Sequence, residues 1–330
     1  MTKKEAVIKA VRHEHVHPVP YSLEMTLSLN DIMKKYTGDE NFSEHSGSYL
    51  LQVKNKIITE LGGTLFKDMY GVIWVRSQDG DIGVIHKYPV PNPDFGSYRF
   101  PEPDEGAIRE KCRYLLQHDD KFTIYLIGFS LFERAWSLHT MENVLMNFIL
   151  EPDFMEALLD KILQYNLGVI DIVGDMGIDC IMFGDDWGQQ RGLIMGYPIW
   201  KKFLKPRLHK MYKAVKQKGM FTAQHSCGDC SETFPDLIEM GLDIYNTFQP
   251  EIYDIEDMKK TYGRDITFYG GISTQRLLPF HNAENVIKET RRILKVLSEG
   301  GGYILAPTHA MTPDIPPENV MAFLKVCQEQ

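Results

Sequence analysis

The chain has 330 residues, 36 Lys and Arg against 45 Asp and Glu for a formal net charge of −9, and 43% apolar residues. That composition supplies a buried core and excludes general disorder, and the length fits two ordinary domains or one large barrel. The acidic balance, with no basic run longer than a pair such as Lys201-Lys202 or Arg291-Arg292, excludes nucleic acid as a sustained partner.

The chain opens on Thr2-Lys-Lys-Glu5 followed by an apolar stretch, the spacing of a capping box, so a short helix is expected at once. No stretch approaches the roughly 18 consecutive apolar residues of a membrane span, and this charged opening is unlike a signal peptide. A soluble, cytoplasmic protein with no membrane partner is expected. Five cysteines, Cys112, Cys180, Cys227, Cys230 and Cys327, are too few and too scattered for a disulfide framework, which leaves reduced thiols or metal ligands.

Short apolar, β-branched or aromatic runs then recur, most leading through a polar or Gly/Pro loop into a helical pattern. Strands are predicted near Val19–Leu23, Thr64–Lys67, Thr123–Ile127, Cys180–Phe183, Met220–Ala223, Ile244–Thr247, Ile266–Tyr269 and Tyr303–Ala306. Helices are predicted over Asp153–Asp171, Pro198–Gln217, Ser231–Met240, Ile252–Thr261, Asn282–Leu297 and Pro317–Gln328. Eight strands alternating with helices, and no composition break, predict one α/β domain over residues 1–330: a (β/α)8 TIM barrel with an N-terminal helix, with a doubly wound open sheet as the alternative. Residues 70–103, rich in Pro, Gly and aromatics, read as a β-rich insertion over the barrel mouth.

In a barrel the chemistry sits at the C-terminal ends of the strands. The residues following the predicted strands are polar: Glu24, Asp68, Ser130, Asp185 with Asp186, His225 with Cys227, Asn246 and Gln249, Gly270-Gly271, and His309. The sharpest is Gln224 to Cys230, which reads Gln-His-Ser-Cys-Gly-Asp-Cys. In an extended segment, His225 and Cys227 point the same way, and imidazole with thiolate suits Zn²⁺. His309 is the natural third ligand, with Asp185 or Glu24 available to complete the shell. The plainer reading is a hydrogen-bonded buried His beside a small apolar Cys, and Cys227 and Cys230 also form a C-x-x-C spacing without the context of a redox motif. Of the adjacent Asp185 and Asp186, at most one faces the barrel interior. No Gly-rich string has dinucleotide or P-loop spacing.

These residues carry a pattern. Gly128 to Trp136 (GFSLFERAW), Phe183 to Gly188 (FGDDWG), His225 to Gly228 (HSCG), Phe268 to Ile272 (FYGGI), Gly301 to Pro307 (GGYILAP) and Pro316 to Asn319 (PPEN) resemble the uroporphyrinogen decarboxylase superfamily. The likeness covers roughly residues 120–325. Its decarboxylases carry an Arg-containing segment at the first strand for a polycarboxylate tetrapyrrole, where this chain reads Val19-Pro-Tyr-Ser-Leu-Glu-Met25. Its zinc- and corrinoid-dependent methyltransferases bind zinc through a His-x-Cys, matched by His225 and Cys227, and a third Cys, where this chain has His309.

The resemblance therefore implies transfer of a methyl group between a small molecule, such as an aryl methyl ether, a methylamine or a thiol, and the cobalt of a corrinoid (cobalamin) carried on a partner protein. In that expectation His225, Cys227 and His309 hold zinc, Asp185, Glu24 and Asp68 are the catalytic carboxylates, and Asn246, Gln249, Phe129 and Trp74 contact substrate. Two alternatives stand beside it: a decarboxylase of a less charged substrate using Asp68, and a non-catalytic corrinoid- or tetrapyrrole-binding protein. A homodimer is one option for an otherwise open oligomeric state.

Overall fold

The computed structural model describes residues 1–76 and 83–330, so residues 77–82 of the expected insertion lie outside the described residues. Two compact units are distinguished. One comprises Met1–Leu51, His118–Thr123 and Asp243–Gln330; the other comprises Gln52–Gln117 and Ile124–Leu242. The fold class is the (β/α)8 barrel class, with parallel strands alternating with helices in both units.

In the second unit, residues 124–128 of strand Phe122–Gly128, with strands Cys180–Gly184 and Phe221–His225, run parallel in unbroken register. Gly128, Gly184 and His225 therefore share one row at the C-terminal edge. The central strand, Cys180–Gly184, is buried along its whole length, as a parallel strand covered on both faces must be. Helix Pro152–Gly174 starts on a proline, which lacks only an N–H that would be orphaned at a helix start, and buries a stripe from Met155 to Val173. The expected helix at Pro198–Gln217 is interrupted: Tyr197–Ile199 passes through one π-turn, Trp200–Leu204, into Lys205–Gln217.

The expected second barrel strand is corrected. Thr64–Lys67 lies in an antiparallel meander, Ile58–Gly62, Leu65–Asp68, Ile73–Val75 and Val84–Lys87, so the insertion begins well before residue 70. Asp68 thus ends a strand of this meander and no barrel strand. The barrel strand is Leu50–Lys54. Its flanks show the pairing within each unit: Tyr49 N–H donates to the Tyr21 carbonyl (2.9 Å) and Tyr49 O accepts from Phe122 N–H (3.0 Å) in the first, while Asn55 N–H donates to the Leu126 carbonyl (2.8 Å) in the second. Leu50–Lys54 carries Gln52 and Lys54 among its apolar residues, which masked it in the hydropathy pattern.

The first unit opens with helix Lys3–Val11, whose capping box is present: Glu5 N–H donates to Thr2 Oγ1 and Thr2 N–H to the Glu5 carboxylate. The expected strand Val19–Leu23 is reduced to one bridge, Tyr21 to Leu305. Pro18 precedes that segment and Pro20 lies within it, and neither can donate to a ladder. Strands Ile244–Phe248, Thr267–Ile272 and Tyr303–Pro307 are parallel neighbours, buried throughout, and are backed by helices Ile255–Tyr262, Ala283–Ser298 and Pro317–Gln328. Among the described residues no helix is long and apolar enough to cross a membrane.

Candidate active site

In the second unit the site is built on the loops that follow the row Gly128, Gly184 and His225. The Cys227 thiol sulfur lies 3.9 Å from His225 Nε2, the geometry expected of two side chains two residues apart leaving a strand. Asp186 holds this pair. Its Oδ1 accepts the Cys227 backbone N–H at 2.8 Å and lies 3.8 Å from His225 Nε2.

The loop is locked from behind by two backbone hydrogen bonds and the Ser226 hydroxyl. Gly188 N–H donates to the Cys227 carbonyl (3.2 Å), Asp229 N–H to the Gln189 carbonyl (2.8 Å), and Trp187 N–H to Ser226 Oγ (3.0 Å). The two glycines at this crossing leave no room for side chains. A Cβ on Gly228, which has φ +76°, would meet the Gly188 carbonyl carbon at 2.3 Å, and a Cβ on Gly188 would meet Cys227 O at 2.6 Å.

Asp185 faces the other way. It is fully buried, and its two oxygens accept four N–H groups: Leu131, Phe132 and Glu133 from the start of helix Phe132–His139, and the Trp187 indole at 2.7 Å. A carboxylate there satisfies the orphan donors of a helix N-terminus and complements its dipole. Burial pushes Asp185 up to about 6, while these four donors oppose the shift. Glu133, on the same first turn, is pushed well above the ordinary carboxylate range by burial and by its neighbours Asp186 and Asp185. Of the adjacent pair, Asp186 is thus the carboxylate beside the His-x-Cys, and Asp185 is the cap.

Asp68 is equally committed. Its Oδ1 accepts Tyr70 N–H (2.9 Å) and Val72 N–H (3.0 Å), and its Oδ2 accepts the Trp74 indole (3.3 Å) and pairs with the buried Arg134 guanidinium (2.7 Å). Arg134 also stacks over Tyr70 at 4.2 Å and faces Phe129 at 5.4 Å. Phe129 takes φ +55°, an uncommon conformation for a side chain of its size, and makes edge contact with Trp74 (5.8 Å) and a tilted contact with Trp136 (5.4 Å). The structure therefore brings Asp68, Trp74 and Phe129 into one cluster of the second unit.

In the first unit, Glu24 is half-buried, and its carbonyl accepts Met311 N–H at 2.9 Å two residues beyond His309. Asn246 is buried and donates to the Tyr269 carbonyl (3.0 Å); Gln249 is buried at the end of its strand, where its carbonyl receives Ile252 and Tyr253. His309 is exposed on the loop after Tyr303–Pro307, and Thr308 pins that loop through Thr274 (3.0 Å between hydroxyls) and the Ile272 carbonyl (2.8 Å).

Asp186, Glu133 and Arg134 were not among the expected site residues. Asp186 was visible in sequence as the twin of Asp185, and only the direction in which each leaves the strand separates a cap from a ligand-side carboxylate. Arg134 gave no signal, because beside Glu133 it reads as an ordinary helix pair.

The donor chemistry fits zinc. Tetrahedral Zn²⁺ with bonds of about 2.0–2.1 Å to nitrogen and about 2.3 Å to sulfur separates those ligand atoms by roughly 3.6 Å, close to the spacing of His225 and Cys227.

Comparison with known proteins agrees with the fold. The chain is 26% identical over 195 residues, 59% of its length, to the methylcobamide:CoM methyltransferase MtaA of Methanosarcina barkeri, and the match spans only 55% of that relative. It is 23% identical over 258 residues to the uroporphyrinogen decarboxylase of Serratia proteamaculans, covering 70% of this chain and 66% of that one. A solved methyltransferase from Methanosarcina mazei superposes with a TM-score of 0.73 at 18% identity, over 100% of this chain and 99% of its own, and so shares the fold. The model of the uroporphyrinogen decarboxylase (URO-D) family matches residues 66–330, four-fifths of the sequence, and the chain belongs to that family.

Proposed function

We propose that the protein is a zinc-dependent methyltransferase that moves a methyl group between a small molecule and the cobalt of a corrinoid held by a partner protein. The observation that carries this reading is the His225 and Cys227 pair, 3.9 Å apart on a loop fixed by Asp186. The likeness to a methylcobamide:CoM methyltransferase supports it.

In this reading His225, Cys227 and His309 are the ligands, with imidazole in place of a third thiolate. When bound, the metal supplies Lewis acidity, either stabilising a thiol acceptor as thiolate or polarising the oxygen or nitrogen that carries the methyl group. The protein's own groups do the rest. Asp186 holds the Cys227 backbone so that the thiolate and imidazole converge, as outer-shell carboxylates do in metal sites. Asn246, Gln249 and Glu24 orient the small molecule, Trp74 and Phe129 offer an apolar wall that excludes water, and Asp185 acts as a positioning residue that fixes helix Phe132–His139.

The decarboxylase alternative is less well supported, because Asp68 already accepts three N–H donors and forms a buried ion pair with Arg134. The test is zinc content together with methyl transfer. Purified protein is expected to hold one zinc per chain and to methylate or demethylate cobalt when mixed with a reduced corrinoid protein and a panel of aryl methyl ethers, methylamines and thiols. Well under one zinc per chain, unchanged in Cys227→Ala, would sink the reading.

A further inference from the structure

The first unit carries a cleft of about 390 Å³ that starts beside Gln249 and is lined by none of the residues assigned above. That volume is at the small end of ligand pockets. Pro250 and Glu251, beyond strand Ile244–Phe248, line it together with Ser273 and Arg276, beyond strand Thr267–Ile272, and with His281, Asn285 and Lys288 around the start of helix Ala283–Ser298.

The charges in this cleft are unbalanced in a specific way. Glu251 uses one carboxylate oxygen to accept the Ser273 hydroxyl, and Ser273 Oγ in turn accepts Arg276 N–H (2.8 Å) and Leu277 N–H (3.3 Å), so the serine has no further proton to give. The other oxygen, Oε2, is buried without a hydrogen-bond partner among the described residues. A buried carboxylate oxygen left so is costly unless something donates to it. The cationic side chains of Arg276, Lys288 and, when protonated, His281 line the same cleft and form no ion pair among the described residues. Glu289, also in the lining, is engaged by Arg292 at 2.7 Å and 2.9 Å and does not neutralise them.

We infer that this cleft binds a small zwitterion, its phosphate- or sulfonate-type anion held by Arg276 and Lys288 and its ammonium pairing with the Glu251 carboxylate, which lines the cleft and is paired with no cation among the described residues. Guanidinium and ammonium groups are the usual partners of such oxyanions, and a ligand ammonium supplies the cation that the carboxylate lacks. Asn285 adds an amide that accepts or donates at the rim. The inference is independent of the zinc reading, since none of these residues is a proposed metal ligand.

The experiment is calorimetric titration of the full chain with three probes: O-phosphoethanolamine, inorganic phosphate and ethanolamine. O-Phosphoethanolamine is expected to bind about tenfold tighter than phosphate, the increment of one charge-assisted hydrogen bond, and ethanolamine more weakly than both. Glu251→Gln is expected to bring O-phosphoethanolamine down to the affinity of phosphate while leaving phosphate unchanged. Arg276→Ala with Lys288→Ala is expected to abolish both, and because these side chains are exposed the double variant should melt like the parent. Absence of binding by all three probes, equal affinity for the zwitterion and phosphate, or undiminished binding in the double variant would overturn the inference.

Discussion

Asp186 and Cys227 are joined by a 2.8 Å hydrogen bond from the Cys227 backbone N–H to the Asp186 carboxylate, so the residue after one strand fixes the loop after its neighbour. Removing that acceptor should loosen the loop without removing a metal ligand. Asp186→Ala is expected to weaken zinc binding about 10- to 100-fold, the range typical of outer-shell partners, and Asp186→Asn, which keeps an acceptor oxygen, by less. Competition against a chelator of known affinity measures both, and equal affinity in Asp186→Ala and the parent would refute the role.

The crossing of Gly188 and Gly228 makes a second prediction. Gly228→Ala places a methyl group against Gly188 backbone at 2.3 Å in a left-handed conformation, so the loop carrying Cys227 must shift. Zinc content is expected to fall together with a loss of several degrees in Tm. Gly192→Ala, also at positive φ but with nothing within 4 Å, is the control and should cost less.

Asp185 sets a pH dependence. Its folded-state pKa, about 6, lies above the ordinary carboxylate value near 4. The folded state thus binds the proton more tightly, and this group's contribution to stability, fully present below about pH 4, is lost as pH rises through about 6. Burial of Glu133 acts in the same direction. Urea unfolding at pH 5 and pH 7.5 is expected to show a smaller pH difference in Asp185→Asn than in the parent. At pH 7.5 the variant also lacks the carboxylate that accepts all four donors, because an amide cannot accept all of them.

The Asp68 and Arg134 pair separates two functional readings. Both side chains are nearly buried, 10% and 6% exposed, and removing one partner from such a pair leaves an uncompensated charge, costing about 3–5 kcal/mol. Arg134→Ala is expected to show that loss in chemical denaturation with zinc content preserved. If Asp68 were instead a decarboxylation catalyst, Asp68→Asn would abolish decarboxylase turnover with its stability intact.

Much of this was legible in the sequence. Period and punctuation marked six of the barrel strands because Cys180–Gly184 and its like are rich in apolar, β-branched or aromatic residues and lead into glycine or polar loops. They failed at Leu50–Lys54, where polar residues interrupt the run, and at Leu65–Asp68, whose composition suits a meander as well as a barrel strand. The His-x-Cys was legible because two residues share one side of an extended segment. The division of labour between Asp185 and Asp186 was not, because it depends on which carboxylate turns toward a helix start more than 50 residues earlier in the chain.

The cap made by Asp185 also ties events in time. Its carboxylate belongs to the end of strand Cys180–Gly184, yet it closes the first turn of helix Phe132–His139. Fraying of that helix start therefore strips a buried charge of its donors, and that penalty falls on the strand as well. The amides of Phe132 and Glu133 should consequently exchange with solvent only in the slow openings that release the strand, as one cooperative unit.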